Sequence, residues 1–178
     1  MPLDAETLAK GKLADETPEM RAKREAMIAK SPPPQPFRLR AELLKGGRSN
    51  QVVAETDNMK VNLKVYSSGG ENGLHNHTDE DHFHLVLQGS ARFYGPRGEE
   101  LDCGPYEGIM LPAGSFYRFN ATSAEPLILL RVGASNGVED EHGRYTLYGD
   151  PIPSDSKENG RGGAILGTGE FWGAAAKK

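Results

Sequence analysis

The sequence is poor in cysteine, in long apolar runs and in positive charge. Its single cysteine, Cys103, permits no disulfide within the chain, and a reducing compartment fits that usage best. The longest apolar run, PLILL at residues 126–130, is far shorter than the roughly 20 residues of a membrane-spanning helix, and the first residues lack the apolar segment of a secretory signal. A formal net charge of −4 argues against duplex nucleic acid as a partner. We therefore expect a cytoplasmic chain whose partner is a small molecule, with no nucleic acid and no membrane involved.

The length and polarity of the chain predict one domain with additional segments at both ends. At 178 residues and a mean hydropathy of −0.59, the chain can bury one compact core. In residues 1–36, Thr17 is the predicted N-cap of a helix, and the proline-rich stretch SPPPQP ends that helix. This arm is either a partly ordered segment or one that packs on a partner subunit. Residues 151–178 are rich in glycine and form a predicted C-terminal tail, with Phe171 and Trp172 as candidate anchors.

Residues 37–150 have the alternating pattern of a β-domain. MKVNLKVY, residues 59–66, sets apolar side chains at odd positions against Lys60, Asn62 and Lys64, as a half-buried strand does. Further short apolar runs are separated by turn-forming sequences such as SSGGENG and YGPRGEE, and no helical pattern interrupts them. This arrangement predicts an antiparallel sandwich or barrel.

Most of the histidines are concentrated in one short stretch, GLHNHTDEDHFHLVLQG. Side chains two positions apart share a face of a strand, so each of its two His-x-His pairs points one way. If the stretch turns between the pairs, all their imidazoles can face one cavity, where they suit a transition metal rather than calcium. The acidic residues between the pairs are interpreted as a solvated turn, although any of them could reach a metal, and His142 is predicted to lie on the surface. The clustered histidines are His75, His77, His82 and His84, and the acidic residues are Asp79, Glu80 and Asp81.

Around these histidines the sequence resembles the first motif of the cupin superfamily. The stretch from Gly69 to Gly89 matches that motif at both glycines, at the first His-x-His pair and at the apolar Val-Leu before the second glycine. Counting back from the second glycine, His82 stands where cupins usually have a glutamate ligand. The alternative register places Asp81 there, but a slip of one residue reverses every side chain and would turn His82 and His84 outward. We favour His82.

A second cupin motif is matched in part. Pro112-Ala-Gly114 agrees with it, and Asn120 stands where an asparagine is expected. Tyr117 occupies the position of the expected histidine, and Tyr106 occupies the position of a glycine. The resemblance covers residues 55–135 and departs from the family pattern at two of the four ligand positions.

The resemblance implies an all-β fold, a cupin jelly-roll β-barrel with an N-terminal helical, proline-rich arm and a glycine-rich C-terminal tail. It also implies one divalent transition metal, held by His75, His77 and His82 with Tyr117 in the fourth place. Fe(II) is favoured, because this set resembles the three-histidine iron dioxygenases of the superfamily, and Zn, Ni or Mn remain open. Three neutral ligands leave the metal its full charge, which favours an anionic or chelating substrate.

Two residues have candidate catalytic roles. Tyr117 either ligates the metal as a phenolate or acts as an acid or base beside it. His84 either orients a ligand or the substrate through a hydrogen bond, or is a histidine of the core. Arg92, Tyr94 and Arg118 are candidates for binding a substrate carboxylate, unless they lie on the solvated face of the sheet.

Three functions remain open at this point. The first is an oxidoreductase, specifically a non-haem iron dioxygenase that acts on a small organic molecule. The second is a metal-dependent lyase or isomerase, in which the metal is a Lewis acid. The third is a non-catalytic barrel that binds a small ligand, in which the departures from the motifs mark a degraded site. The resemblance also implies a homodimer.

Overall fold

The computed structural model describes residues 16–153 and 165–175 of the chain. The start of the predicted arm and part of the predicted tail therefore lie outside the described residues. The chain divides into two compact units, one that ends at Pro36 and one that begins at Phe37. Within the described ranges, no helix has the length and the apolar content that crossing a bilayer requires.

The first unit contains one described helix, α1 (Pro18–Ile28). Thr17 is its N-cap, as predicted, because the threonine hydroxyl oxygen accepts a hydrogen bond from the backbone N–H of Met20 at 3.2 Å. Pro18 occupies the first helical position, where a backbone N–H would have no acceptor within the helix, so its absence costs no hydrogen bond. No residue of α1 is buried. Packing of this arm on a partner subunit stays a prediction.

The described part of the second unit consists of short β-strands and the turns between them. The strands are β1 (Arg40–Gly46), β2 (Arg48–Thr56), β3 (Met59–Tyr66), β4 (Gly70–His77), β5 (Glu80–Gln88), β6 (Ala91–Tyr94), β7 (Glu100–Cys103), β8 (Gly108–Leu111), β9 (Tyr117–Ala121), β10 (Leu127–Ser135), β11 (Arg144–Thr146) and β12 (Leu166–Gly173).

Ten of these strands form two five-stranded antiparallel sheets. Sheet I has the order β2-β3-β10-β5-β8, and sheet II has the order β11-β4-β9-β6-β7. Apart from the pairs β2–β3 and β6–β7, strands of the two sheets that follow each other in the chain lie in different sheets, so the chain passes back and forth between the sheets. This is a jelly roll, and the predicted all-β fold is confirmed.

A hydrophobic cluster joins the two sheets. Phe119 of sheet II packs edge-on against Tyr66 of sheet I, with ring centroids 5.2 Å apart, and Phe93 stacks beside Phe119. Cys103 belongs to this cluster as a free, buried thiol, and burial raises its pKa. A buried thiol with a raised pKa is not an activated nucleophile.

A second hydrophobic cluster lies on the other face of sheet I. Leu63, Val65 and Ile128 are fully buried there beneath a ribbon formed by β1 and β12, against which Trp172 also packs. Part of the glycine-rich segment that was predicted to be a C-terminal tail is therefore a strand, β12. The three glycines of β12 have low strand propensity, and pairing with the distant β1 stabilises the strand in spite of them.

The ribbon decides which face of β3 lines the interior. Because the apolar face of β3 packs under β1 and β12, its polar residues Lys60, Asn62 and Lys64 turn towards the space between the sheets. Asn62 is only 3% exposed. β3 is thus covered on both faces, whereas its alternation predicts a half-buried strand. Its polar face lines a cavity of about 830 Å³.

Candidate metal centre

The cavity brings the two histidine pairs together. His75 and His77 project from β4 in sheet II, and His82 and His84 project from β5 in sheet I. The ring centroids of His77 and His82 are 4.2 Å apart, and those of His75 and His77 are 5.3 Å apart. The chain crosses from one sheet to the other between the pairs, which is the arrangement that lets both pairs face one space.

The strand register places His82 inside and Asp81 outside. His82 is 1% exposed. Asp81 is exposed, and its carboxylate accepts a hydrogen bond from the backbone N–H of Ala113 at 2.7 Å. Of the two registers that the sequence allows, the structure has the one that points His82 and His84 inward.

One group of three residues has the spacing of a metal site. The ligand atoms of His77, Glu80 and His82 all lie within 4.8 Å of one another. Since nitrogen and oxygen ligands bind a metal such as zinc at about 2.0–2.2 Å, one ion can reach all three. The sequence favoured a solvated turn for Glu80 and left open that it reaches a metal, and in the structure Glu80 is the first residue of β5. Its position two residues before His82 was the available signal, because residues two apart share a face of a strand.

The three side chains are in the protonation states that a metal needs. Burial lowers the pKa of His77 and of His82, so both imidazoles are neutral near pH 7. The hydrogen bond with His82, aided by the charge of Arg131, lowers the pKa of Glu80 to about 2. Metal ligands must be deprotonated, so this set of donors fits a divalent cation.

A guanidinium group competes for the same atoms. Nη2 of Arg131, on β10, contacts both Oε2 of Glu80 and Nε2 of His82. Oε2 of Glu80 and Nε2 of His82 are 2.9 Å apart. A metal ion that takes them as ligands must move the guanidinium aside. Arg131 and a divalent cation are therefore alternatives at this position.

His75 lies beside the three-residue group, with one ring nitrogen available. Its Nδ1 is 2.8 Å from the carbonyl oxygen of Gly73 and donates to it, which leaves Nε2 as an acceptor. Burial lowers the pKa of His75 to about 4, so the ring is neutral. Its Nε2 is buried without a hydrogen-bond partner among the described residues, 3.4 Å from the carboxylate of Glu71. His75 can thus offer a ligand atom, on the side of the cavity that Glu71 occupies.

Glu71 lines the cavity but was not predicted as a site residue, because it lies in a stretch that was interpreted as a turn. It is 7% exposed and forms an ion pair with Lys64 at 2.9 Å. The hydroxyl of Tyr66 lies 3.4 Å from the same carboxylate oxygen. Burial opposes its ionisation, but the charge of Lys64 and the hydrogen bond that Lys64 donates hold the pKa of Glu71 well below its usual range. A buried, ionised carboxylate therefore faces the interior.

Tyr117, on β9, stands between the histidine pairs. Its hydroxyl is 3.3 Å from Nδ1 of His82, and its ring centroid is 4.7 Å from that of His75. Burial raises the pKa of Tyr117 well above its ordinary value, so the residue is a protonated phenol near pH 7.

His84 lies deeper, outside the three-residue group. It is fully buried, and neither ring nitrogen has a hydrogen-bond partner in the described part of the chain. Its ring packs against Phe93, Phe119 and Tyr117 at centroid distances of 5.7, 5.9 and 5.5 Å. Burial lowers its pKa, so the ring is neutral.

The cavity wall is positively charged overall. It carries five basic and three acidic side chains, an excess of two positive charges, in a chain of formal net charge −4. His142 is exposed, as predicted, and contributes to the lining of this cavity. The basic side chains are Arg48, Lys60, Lys64, Arg131 and Arg144, and the acidic ones are Glu71, Asp79 and Glu80.

The arginines that the sequence suggested for substrate binding are not among these. Arg92 pairs with Asp102 through two contacts of 2.6 and 2.7 Å, and Arg118 stacks over the ring of Tyr94 at 3.7 Å. None of these suggested residues lines the cavity. Successive side chains of a strand point to opposite faces of the sheet. In β6 and β9 the interior positions are occupied by Phe93 and the other buried side chains, so the arginines point outward.

Comparison with known proteins agrees with this geometry. A protein-family model described as a cupin domain matches residues 62–133. Residues 62–133 of the chain form a cupin domain. In this cupin, the matched segment includes all three residues of the candidate metal group and Tyr117.

Solved structures share the fold at low sequence identity. A cupin superfamily protein from Desulfitobacterium hafniense is 20% identical, covers 49% of this chain and 76% of its own, and has a TM-score of 0.42. A sugar phosphate isomerase from a cupin superfamily, from Silicibacter pomeroyi, is 22% identical over 61% of this chain and 82% of its own, with a TM-score of 0.48. A putative mannose-6-phosphate isomerase from Ralstonia eutropha is 19% identical over 49% and 83%, with a TM-score of 0.46. No curated protein matches the sequence.

Proposed function

We propose that this cupin is a metal-dependent enzyme, a non-haem iron dioxygenase or related oxidoreductase that acts on a small organic anion. The observation that carries the proposal is the group of His77, Glu80 and His82, whose ligand atoms lie within 4.8 Å of one another beside a cavity. Two histidines and one carboxylate with open positions form the donor set of non-haem Fe(II) oxygenases.

The proposed ligands differ from the set that the family motifs imply. Glu80 joins His77 and His82 as the third ligand, because its carboxylate lies 2.9 Å from His82 Nε2. His75 is proposed as a further ligand through its unpartnered Nε2. An iron ion bound here would supply redox chemistry with oxygen, whereas Zn, Ni or Mn would supply a Lewis acid.

Tyr117 and His84 are proposed to serve the reaction in different ways. The Tyr117 phenol keeps its proton near pH 7 and lies 3.3 Å from a ligand histidine, so its hydroxyl can donate that proton to a substrate oxygen. His84 packs behind Tyr117, with ring centroids 5.5 Å apart, and is proposed as a positioning residue for the phenol.

Oxygen uptake by iron-loaded protein tests this proposal. Protein without a His tag is stripped of metal, reloaded with Fe(II) or Zn, and screened with small carboxylates and phosphate esters in an oxygen electrode. We expect substrate-dependent uptake with iron and none with zinc. Glu80→Gln and His82→Ala should abolish the uptake, and Arg92→Gln, at a residue that does not line the cavity, should preserve it. Equal uptake by His82→Ala, or none with any compound, would overturn the proposal.

A metal-dependent lyase or isomerase is the second candidate, and the environment of Tyr117 favours it. A protonated phenol and the ionised carboxylate of Glu71 line the same cavity, and together they provide an acid and a base for moving a proton within a substrate. Turnover without oxygen by the zinc or manganese form would favour this reaction. If the reloaded protein retains no metal, the barrel is a non-catalytic module that binds a small ligand.

We also propose an oligomeric state and a cellular location. The family resemblance supports a homodimer, which light scattering of the purified protein tests. The single cysteine, which is free and buried, supports a cytoplasmic location, which cell fractionation tests.

A further inference from the structure

The cavity has a second group of polar residues that the metal group does not use. They project from the inner face of sheet I, on β2, β3 and β10. In the sheet register Asn50 lies opposite Lys64, and Asn62 lies opposite Arg131. We call this group the basic wall, and it consists of Arg48, Asn50, Asn62, Lys64 and Arg131.

Arg48 differs from the other two cations of the basic wall. Lys64 pairs with Glu71 at 2.9 Å, and Arg131 pairs with Glu80. Among the described residues Arg48 forms no ion pair, and its guanidinium carbon lies 5.9 Å from the ring centroid of Tyr66. A guanidinium has five N–H donors, and contact with an aromatic ring leaves them available for another partner.

The cations of the basic wall are close enough to repel one another. Burial lowers the pKa of Lys64, the carboxylate of Glu71 opposes that shift, and the charges of Arg131 and Arg48 lower it further. Glu71 and Glu80 compensate the charges of Lys64 and Arg131, so the repulsion that remains comes from Arg48, which has no ion pair among the described residues. A bound anion would offset it.

The asparagines add a neutral donor to this group. Asn62 donates through Nδ2 to Oδ1 of Asn50 at 3.0 Å, and its own Oδ1 is 3.5 Å from Nη1 of Arg131. The oxygen of the Asn50 amide is therefore occupied, and its NH₂ group is the part that remains for a ligand. Asn62, which is almost fully buried, fixes this orientation.

We propose that the basic wall is the binding subsite for an oxyanion of the substrate, a carboxylate or phosphate group, with Arg48 as its principal contact and Asn50 and Lys64 as additional donors. The planar guanidinium of an arginine matches both anions with two parallel hydrogen bonds. The inference rests on the proposed function for the reacting end of the substrate and adds the place where its charged end binds.

The sheet order also limits the size of the substrate. The subsite is centred on β2 and the metal group includes β5, and β3 and β10 lie between these strands. Three interstrand spacings amount to roughly 14 Å along the sheet. Long side chains shorten that distance on both sides, so the substrate carries its charge several bonds away from the reacting atoms.

Titration calorimetry with inorganic phosphate and with malonate tests the subsite. The protein is stripped of metal first, so that neither anion can bind through an ion, and the buffer contains no other oxyanion. We expect Arg48→Gln to weaken binding by roughly tenfold, about 1.4 kcal/mol. Arg92→Gln is the matched control, because Arg92 is an exposed arginine that pairs with Asp102, and it should bind as the wild type does. A preference for phosphate or for malonate identifies the substrate as a phosphate ester or a carboxylate.

Metal content, measured on the same proteins, separates this inference from the proposed function. His77→Ala/His82→Ala should lose metal and keep anion binding, and Arg48→Gln should keep metal and lose anion binding. If the wild type retains no metal as purified or after reloading, and its anion binding still depends on Arg48, the subsite is supported and the proposed metal chemistry is contradicted. Equal affinities of Arg48→Gln and wild type, or no binding of either anion to the wild type, would overturn the subsite.

Discussion

Tyr106 occupies a backbone conformation that suits glycine. Its φ is 70°, and it is the one non-glycine residue with a positive φ in the described part of the chain. It also stands where the second cupin motif has a glycine. The side chain is 82% exposed, so little packing offsets the steric cost of the left-handed conformation, roughly 1–2 kcal/mol for a residue with a Cβ.

Replacing Tyr106 by glycine should therefore stabilise the protein. We expect a gain of roughly 0.5–1 kcal/mol in the free energy of unfolding, because glycine removes the steric cost but adds entropy to the unfolded chain. Urea unfolding measures the change. Tyr148→Gly is the control, since Tyr148 is 92% exposed and is not among the positive-φ residues, and it should bring no gain. A less stable Tyr106→Gly protein would show that the conformation carries no strain.

The single side chain of Arg131 is expected to lower the affinity of the metal group for a divalent cation. Its guanidinium contacts two of the proposed ligands, so a divalent cation must displace it and then remain near its charge. We expect Arg131→Gln to bind Zn or Mn roughly tenfold more tightly, about 1.4 kcal/mol. Competition with a chromogenic chelator measures the affinity, and Arg92→Gln is the control. Weaker metal binding by Arg131→Gln would mean that the arginine supports the site instead of competing with the ion.

At the scale of elements, the ion pair of Lys64 and Glu71 joins β3 of sheet I to β4 of sheet II. Both side chains are largely buried, so removing one leaves the other charge without compensation. We expect Glu71→Gln to lower the free energy of unfolding by about 3 kcal/mol. The double variant Lys64→Met/Glu71→Gln should recover much of that loss, because no buried charge remains. Urea unfolding of Lys64→Met, Glu71→Gln and the double variant measures the coupling, and additive effects of the two substitutions would contradict it.

The segment before β11 is held by one carboxylate. Asp140 accepts hydrogen bonds from the hydroxyls of Tyr145 and Thr78 at 2.6 and 2.7 Å, and from the backbone N–H groups of His142 and Gly143. These bonds, that of Tyr145 first, hold the pKa of Asp140 well below its usual range. Because the folded-state pKa is the lower one, this stabilisation is fully present above about pH 4 and is lost as the pH falls below that value.

Asp140→Asn should therefore have a pH-dependent effect on thermal stability. The difference in Tm between wild type and variant should be largest near pH 7 and should shrink by pH 3, since acid removes the same contribution from the wild type. Thermal scans at both pH values measure it. Asp57→Asn, in the exposed turn between β2 and β3, should have little effect at either pH. A difference in Tm that grows as the pH falls would contradict the role of the ionised carboxylate.

The local sequence pattern predicts some of these strands correctly, and the others depend on pairing between distant parts of the chain. The period of two correctly placed the histidines of β4 and β5 and the apolar face of β3. It did not show that the polar face of β3, with Lys64, lines the interior, because that depends on the ribbon that covers the other face. β12 could not be predicted, since its glycines favour a loop until β1 pairs with them. Glu80 was predictable, and an acidic run was taken for a turn instead.

At the scale of the whole molecule, the sign of the charge differs between the chain and its cavity. The formal net charge is −4, yet the cavity wall has two more basic than acidic side chains. A concave surface of one sign concentrates ligands of the opposite sign. The charge distribution therefore supports the proposed small anionic substrate, and it is consistent with both the metal group on β5 and the basic wall on β2 and β3.

Elemental analysis of untagged protein, purified without added metal, tests the central claim most directly. We predict about one equivalent of a single divalent metal per chain. His77→Ala/His82→Ala should lose that metal, and His142→Ala should keep it. Bound iron would favour oxygenase chemistry. Bound zinc, nickel or manganese would favour lyase or isomerase chemistry. A wild type that binds no metal even after reconstitution, or equal metal in the His77→Ala/His82→Ala protein, would contradict the account.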